Sequence, residues 1–271
     1  MDYLNYGKQV QQQPQKPQSQ GFGNQVQLTK DDFTFGDLNQ PTPQPQAAPQ
    51  IQDELIQVFP IPILICSCPF EYSKELEWIK KQPSRKIINE KVRNGEENLY
   101  IRANRKDLNR QSEDTFLLDK PELSRVRQFI ESKLKEYVGK IMGSDDKMVI
   151  TQSWHNMNGK GESHHEHSHP NSMISGVWYP QIYESSPPIQ FRKQYQRDVE
   201  LSITKYNHFN NSTFLLPMKA GELILFPSNL SHSVPANQSD EERISLSFNT
   251  WVKGSLGSER SLTYVPFDRL M

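Results

Sequence analysis

Apolar residues in this chain recur with two different periods. Leu123, Val126, Ile130, Leu134, Tyr137 and Ile141 follow one another at spacings of 3, 4, 4, 3 and 4. Those spacings place all six on one face of a helix of about five turns. Asp119 with Glu122 three residues later reads as a capping-box-like start, Pro121 suits the first turn, and GSDDK (143–147) ends the helix. A shorter helix is predicted over SKELEWIKKQ (73–82), with Ser73 as N-cap. Before it, LIQVFPIPILIC (55–66) is β-rich and broken by Pro60 and Pro62, which suits an edge strand. Residues 84–118 are polar and show no clear period.

From 148 onward the texture turns to short β-leaning runs separated by turn residues: MVITQSWHNM, SMISGVWYPQI, PIQFR, VELSITKY, STFLLPM, GELILFP, HSVPA and RISLSFNTWV. This predicts an antiparallel sandwich or barrel of roughly eight strands. The fold class is therefore α+β. One domain spans 55–271, with helical support over 70–145 and a barrel core over 148–252.

Residues 1–54 differ in kind. QVQQQPQKPQSQ and LNQPTPQPQAAPQ are rich in Gln and Pro and almost free of large aliphatics. Such a tail cannot bury enough apolar surface to offset its chain entropy, so it is expected to be disordered or extended. Between the two runs, VQLTKDDFTFGDL carries Val26, Leu28, Phe33, Phe35 and Leu38, the form of a short docking segment for a protein partner in a homo- or hetero-oligomer.

Charge and cysteine content narrow the classes. The 271 residues carry 31 basic and 32 acidic side chains, a net charge of −1, so no whole-chain field draws the protein to nucleic acid or an anionic membrane. No stretch reaches the roughly 20 apolar residues of a membrane span, and the N-terminus has no signal-peptide core. The expected location is the cytoplasm. The two cysteines, Cys66 and Cys68, stand too close together for an unstrained disulfide and read as strand-end thiols.

Candidate chemistry gathers in the β half. Four of the seven histidines lie within 164–169. His165, His167 and His169 alternate, which on a strand puts all three on one face, and neutral imidazole is the commonest metal ligand. His232, 63 residues after His169, follows a turn, a buried strand and a tight loop, where it could complete a metal site. In RISLSFNTWV one face is apolar and the other begins with Arg243 and Ser245. If that polar face points into a barrel, Arg243 needs an anionic ligand, because a buried Arg without a partner costs about 3–5 kcal/mol. Trp154 and Asn156 share a face of their strand and could line the same cavity.

These residues together resemble the Fe(II)/2-oxoglutarate-dependent oxygenase superfamily. More narrowly they are similar to a subfamily common in bacteriophages and some bacteria. The resemblance rests on Ser153–Asn156, His167–Tyr179, Gly221–Val234 and Arg243–Asn249, spans about 148–252, and includes an opening VFPIPI. It implies a double-stranded β-helix, or jelly roll, with flanking N-terminal helices. It implies Fe(II) on His167, His169 and His232, and 2-oxoglutarate with its distal carboxylate on Arg243 and Ser245, Asn156 and Trp154 lining the co-substrate site. The implied activity is a dioxygenase that hydroxylates a substrate the sequence does not reveal.

One departure stands out. The usual ligand set is two His and one carboxylate. The register that fits the surrounding motif gives His167 and His169, with His in the carboxylate position. A rival register, His164 and Glu166, supplies the carboxylate but sits three residues early. A cupin is disfavoured, because no Glu follows the H-x-H within Pro170 to Met173. The alternative of another class is a phage virion or assembly protein that uses the jelly roll as scaffold and docks through its tail.

Overall fold

The computed structural model describes residues 60–86, 109–193, 202–207 and 210–267. The tail 1–54, and with it the docking segment, lies outside the described residues. All described residues fall within one compact unit, Gln57–Met271.

Eleven strands and two α-helices are described. Strand β1 (Leu64–Ser67) leads to helix α1 (Ser73–Lys80), β2 (Ser84–Lys86) and β3 (Arg110–Ser112). Helix α2 (Ser124–Tyr137) follows two 3-10 turns, then come β4 (Met148–Asn158), β5 (His164–His167) and β6 (Ile174–Gln181). The chain continues with β7 (Ile189–Arg192), β8 (Thr213–Leu216), β9 (Glu222–Pro227), β10 (Ser231–Val234) and β11 (Arg243–Val252). One sheet has the order β1-β9-β6-β11-β4-β3-β2, the other β5-β10-β7-β8, and these strands pair antiparallel in both. From β4 to β11 the chain alternates between the sheets in the order of an eight-stranded jelly roll.

Two apolar layers hold this together. Between the sheets, Val177, Tyr179, Ile189, Phe191, Ile224 and Phe226 form a core, with Phe191 and Phe226 edge-to-face at 5.2 Å. On the other side of the larger sheet, Leu117, Leu123, Val126, Ile130, Leu134 and Tyr137 pack against Met157, Trp178, Leu246 and Phe248. The larger sheet is thus covered on both faces. This decides the orientation of β11: Ile244 and Leu246 meet the helical layer, so Arg243, Ser245 and Ser247 must point between the sheets. Gly176 on β6 allows the tightest approach in this core, since a Cβ there would stand 2.2 Å from the Phe248 ring.

Several expectations change in detail. Asp119 caps nothing; it pairs with Arg127, and no side chain caps α2. The predicted helix stops being α-helical at Tyr137 and continues as a π turn, Val138–Met142, closed by Gly143 at φ +66°. The wider turn shifts the phase, so Val138 is buried and Ile141 turns outward, 40% exposed. Ser73 is the first helical residue of α1 rather than its cap; its N–H donates to Glu71 Oε1 at 2.7 Å. Of VELSITKY, residues 202–206 form no strand, and the remainder lies outside the described residues. The polar stretch 84–118 supplies β2 and β3, which extend the larger sheet past β4.

Candidate active site

Side chains from β4, β5, β10 and β11 converge on one cavity between the sheets. His167 ends β5, His232 stands opposite it on β10, and His169 follows in the next loop, held by its N–H donating to the Ser228 carbonyl at 2.9 Å. One ring nitrogen from each of the three lies within 4.8 Å of the others. Among the described residues no Asp or Glu joins this group.

The hydrogen bonds around the rings fix where their lone pairs point. His232 Nδ1 is 2.9 Å from the Leu230 carbonyl, and His167 Nδ1 is 2.8 Å from the His165 carbonyl. A carbonyl only accepts, so each Nδ1 carries the proton and each Nε2 presents a lone pair. His169 Nε2 faces His232 Nε2 at 3.3 Å. Burial, with neighbouring imidazoles adding to it, pushes His232 down to about 4 and His169 down to about 3; burial also lowers His167. The three rings are therefore neutral donors at pH 7, which is the form a metal takes.

A strand irregularity separates the remaining histidines. His167 pairs with His232 and His164 pairs with Val234, so His165 and Glu166 together oppose the single Ser233. Two residues against one make a β-bulge. The bulge returns His164 to the cavity side and leaves His165 exposed, which corrects the expectation that His165, His167 and His169 share a face. Glu166 is held outside, accepting from Ser231 Oγ at 2.8 Å and pairing with Arg192 at 2.9 Å. The rival register His164–Glu166 is thus split by the bulge.

At the start of β11, Arg243 is 2% exposed. Its guanidinium reaches Asn158 Oδ1 at 3.3 Å and Ser245 Oγ at 3.4 Å, and stands 5.0 Å from the Tyr179 ring centre. Among the described residues its Nε has no hydrogen-bond partner, and the Tyr179 hydroxyl, which lies against the Arg243 guanidinium, finds no acceptor for its own proton. Burial pulls the arginine down from its ordinary value and pushes Tyr179 up to about 12, so the hydroxyl keeps its proton. The Trp154 indole N–H, beside His169 in the same cavity, is also unpartnered. Asn156 is engaged: Asn109 donates to its oxygen and its amide donates to Ser247 Oγ, both at 3.0 Å. One buried cation, an unused phenol O–H and an unused indole N–H, with no carboxylate to meet them, make a cradle for an anion.

A family model described as "Putative 2OG-Fe(II) oxygenase" matches residues 152–249, the stretch that carries all of these side chains. Over that stretch, about a third of the chain, the sequence is similar to this family. The cofactors of a 2OG-Fe(II) oxygenase are Fe(II) and 2-oxoglutarate, and the residues present fit both: three neutral imidazoles for the metal, an uncompensated cation for the dicarboxylate. Among solved structures, the chain is similar to an oxidoreductase of the 2OG-Fe(II) oxygenase family from Burkholderia pseudomallei, at 12% identity and a TM-score of 0.48, covering 69% of this chain and 84% of that one. It is also similar to HygX from Streptomyces hygroscopicus, solved with nickel, 2-oxoglutarate and hygromycin B, at 10% identity and a TM-score of 0.45, covering 70% and 82%. No curated protein matches the sequence.

The structure brings His167, His169, His232, Arg243, Ser245, Trp154 and Asn156 to one cavity. Sequence reasoning missed Tyr179 as a site residue. Its signal was present, since Tyr179 lies within the SGVWY run already tied to the oxygenase pattern, but only β6 burial shows the hydroxyl turned toward Arg243.

Proposed function

We propose that this chain is an Fe(II)- and 2-oxoglutarate-dependent dioxygenase of the hydroxylase type. The observation that carries the reading is the buried Arg243 cation, which among the described residues has no anionic partner in the cavity shared by the three neutral imidazoles. His167, His169 and His232 hold the metal. Arg243, Ser245 and the Tyr179 hydroxyl hold the distal carboxylate, and the charge-assisted bonds of such a pair are worth roughly 1.5–3 kcal/mol each. Asn156 fixes Ser247 and the floor beside it, and Trp154 offers its indole N–H next to His169. When bound, iron and 2-oxoglutarate supply the oxidising power that activates O2; the chain's part is to bind, orient and keep water out.

A set of three imidazoles is uncharged, where two His and a carboxylate would carry −1. The site then keeps the full dication charge until an anion arrives, so Arg243 and the metal both favour a doubly charged co-substrate.

Anaerobic titration of Fe(II) protein with 2-oxoglutarate tests this through the visible charge-transfer band of the chelate. The band is expected in the native protein, is lost in His167→Ala and His232→Ala, and needs far more 2-oxoglutarate in Arg243→Ala. Iron that does not bind, or binds without a band at any 2-oxoglutarate concentration, overturns the reading.

A further inference from the structure

The bulge in β5 leaves one histidine that the metal site does not use. His164 faces the cavity, yet its ring nitrogens are not among the donor atoms that cluster within 4.8 Å. Its ring stacks on His167 at 4.5 Å and 26°, so its plane is set. Across the strand pair it meets Val234, which offers its ring no polar side-chain partner. Among the described residues no side chain or backbone group hydrogen-bonds to the His164 ring. His164 and Arg243 line the same cavity. His164 therefore shares one cavity with the imidazole trio and Arg243, with its ring edge available to a ligand bound there.

We propose that His164 is a co-substrate-binding residue whose ring N–H would donate to a carboxylate oxygen of 2-oxoglutarate bound in the cavity it shares with His167 and Arg243. This rests on the reading of the site as a 2-oxoglutarate site. The alternation of the sequence points to His165 for any third histidine of the strand; the bulge replaces it with His164. Glu166, tied outside by Ser231 and Arg192, keeps the bulge in place.

The test uses the full-length protein and two readouts that need no turnover. Anaerobic equilibrium dialysis gives Fe(II) bound per chain. The visible band gives the 2-oxoglutarate concentration at half-saturation. His164→Ala is expected to bind Fe(II) at the native stoichiometry and to raise the half-saturating concentration about tenfold, the equivalent of one net hydrogen bond. His164→Gln, which restores a donor, is expected to recover most of that loss. A native-like half-saturation in His164→Ala overturns the proposal and leaves the site reading intact. Loss of iron from both variants overturns it in favour of His164 as a metal ligand. An absent band in iron-loaded native protein overturns both.

Discussion

Replacing Arg243 with Met should make the ligand-free protein more stable and co-substrate binding much weaker. The guanidinium is 2% exposed, and its contacts in the cavity are a neutral amide oxygen at 3.3 Å, a hydroxyl at 3.4 Å and the neutral Tyr179 ring at 5.0 Å, with Nε unpartnered. None of these contacts supplies negative charge, so its desolvation is not offset. Replacing buried ionic groups by apolar ones of similar volume stabilises by about 1–4 kcal/mol. Taking about 2 kcal/mol, Tm of the ligand-free protein rises by roughly 4–8 °C for a domain of this size. Binding moves the other way. Truncating one side of a buried charge pair costs about 2–5 kcal/mol, and about 3 kcal/mol corresponds to a roughly 100-fold weaker Kd. Differential scanning calorimetry, with and without 2-oxoglutarate at about 100 times the native Kd, reads both effects. The native protein should gain about 2.7 kcal/mol from the ligand and the variant almost nothing. A variant that melts below the native protein when free, yet gains as much from 2-oxoglutarate, would refute the claim that Arg243 waits for an anion.

The metal set has its own signature: His169→Ala and His232→Ala should lose Fe(II) in equilibrium dialysis, while His165→Ala and Glu166→Ala, both on the outer side of the bulge, should retain it. His155 gives a pH prediction away from the metal. It is fully buried on β4, the Gln82 backbone lies close by, neither ring nitrogen has a hydrogen-bond partner, and burial pushes it down to about 4. Between pH about 6.5 and about 4 the unfolded chain binds a proton that the folded chain does not. Stability is therefore lost as pH falls through that window, by at most ~3 kcal/mol for this group. Chemical denaturation of His155→Leu across that range should show a shallower fall than the native protein, and an unchanged slope would refute the assignment. Gly176→Ala would press a Cβ onto the Phe248 ring and onto Leu225 Cδ2 at 2.8 Å. Overpacking of this kind costs about 2 kcal/mol, so a Tm drop of roughly 4–8 °C is expected, and an unchanged Tm would show that Phe248 yields freely.

How much of this was legible depended on period and spacing. Seven of the eight strands from β4 to β11 show as alternating or continuous apolar runs; β5, HHEH, has no apolar residue and shows only as the histidine cluster, while the expected run VELSITKY forms no strand over 202–206. His232 and Arg243 show as polar residues within that texture. The inward face of β11 did not show, because its polar side is compatible with solvent until the helical layer is known to cover the other side. The β5 bulge was invisible for a different reason. Bulges are set by pairing, here two residues against Ser233, and alternation alone names His165 in place of His164. The π turn that exposes Ile141 likewise depends on how the end of α2 meets its neighbours. Residues 84–118 gave no period, because β2 and β3 are three-residue strands, too short to express one.

Among the described residues strand β5 is the outermost of its sheet and is joined along one side only, to β10, through a ladder interrupted by the bulge. Two of the three imidazoles that converge, His167 and His169, belong to this strand and its trailing loop, and the third, His232, belongs to β10. An ion held by all three is a clasp fastening the margin of the sandwich to its interior. Occupancy and local order then become one equilibrium: each ion bound closes the frayable border, and each opening of the border releases the ion. Amide hydrogen exchange along 164–169 should accordingly report whether the three imidazoles hold an ion, slowing there far more than in β11, which is already laced on both sides.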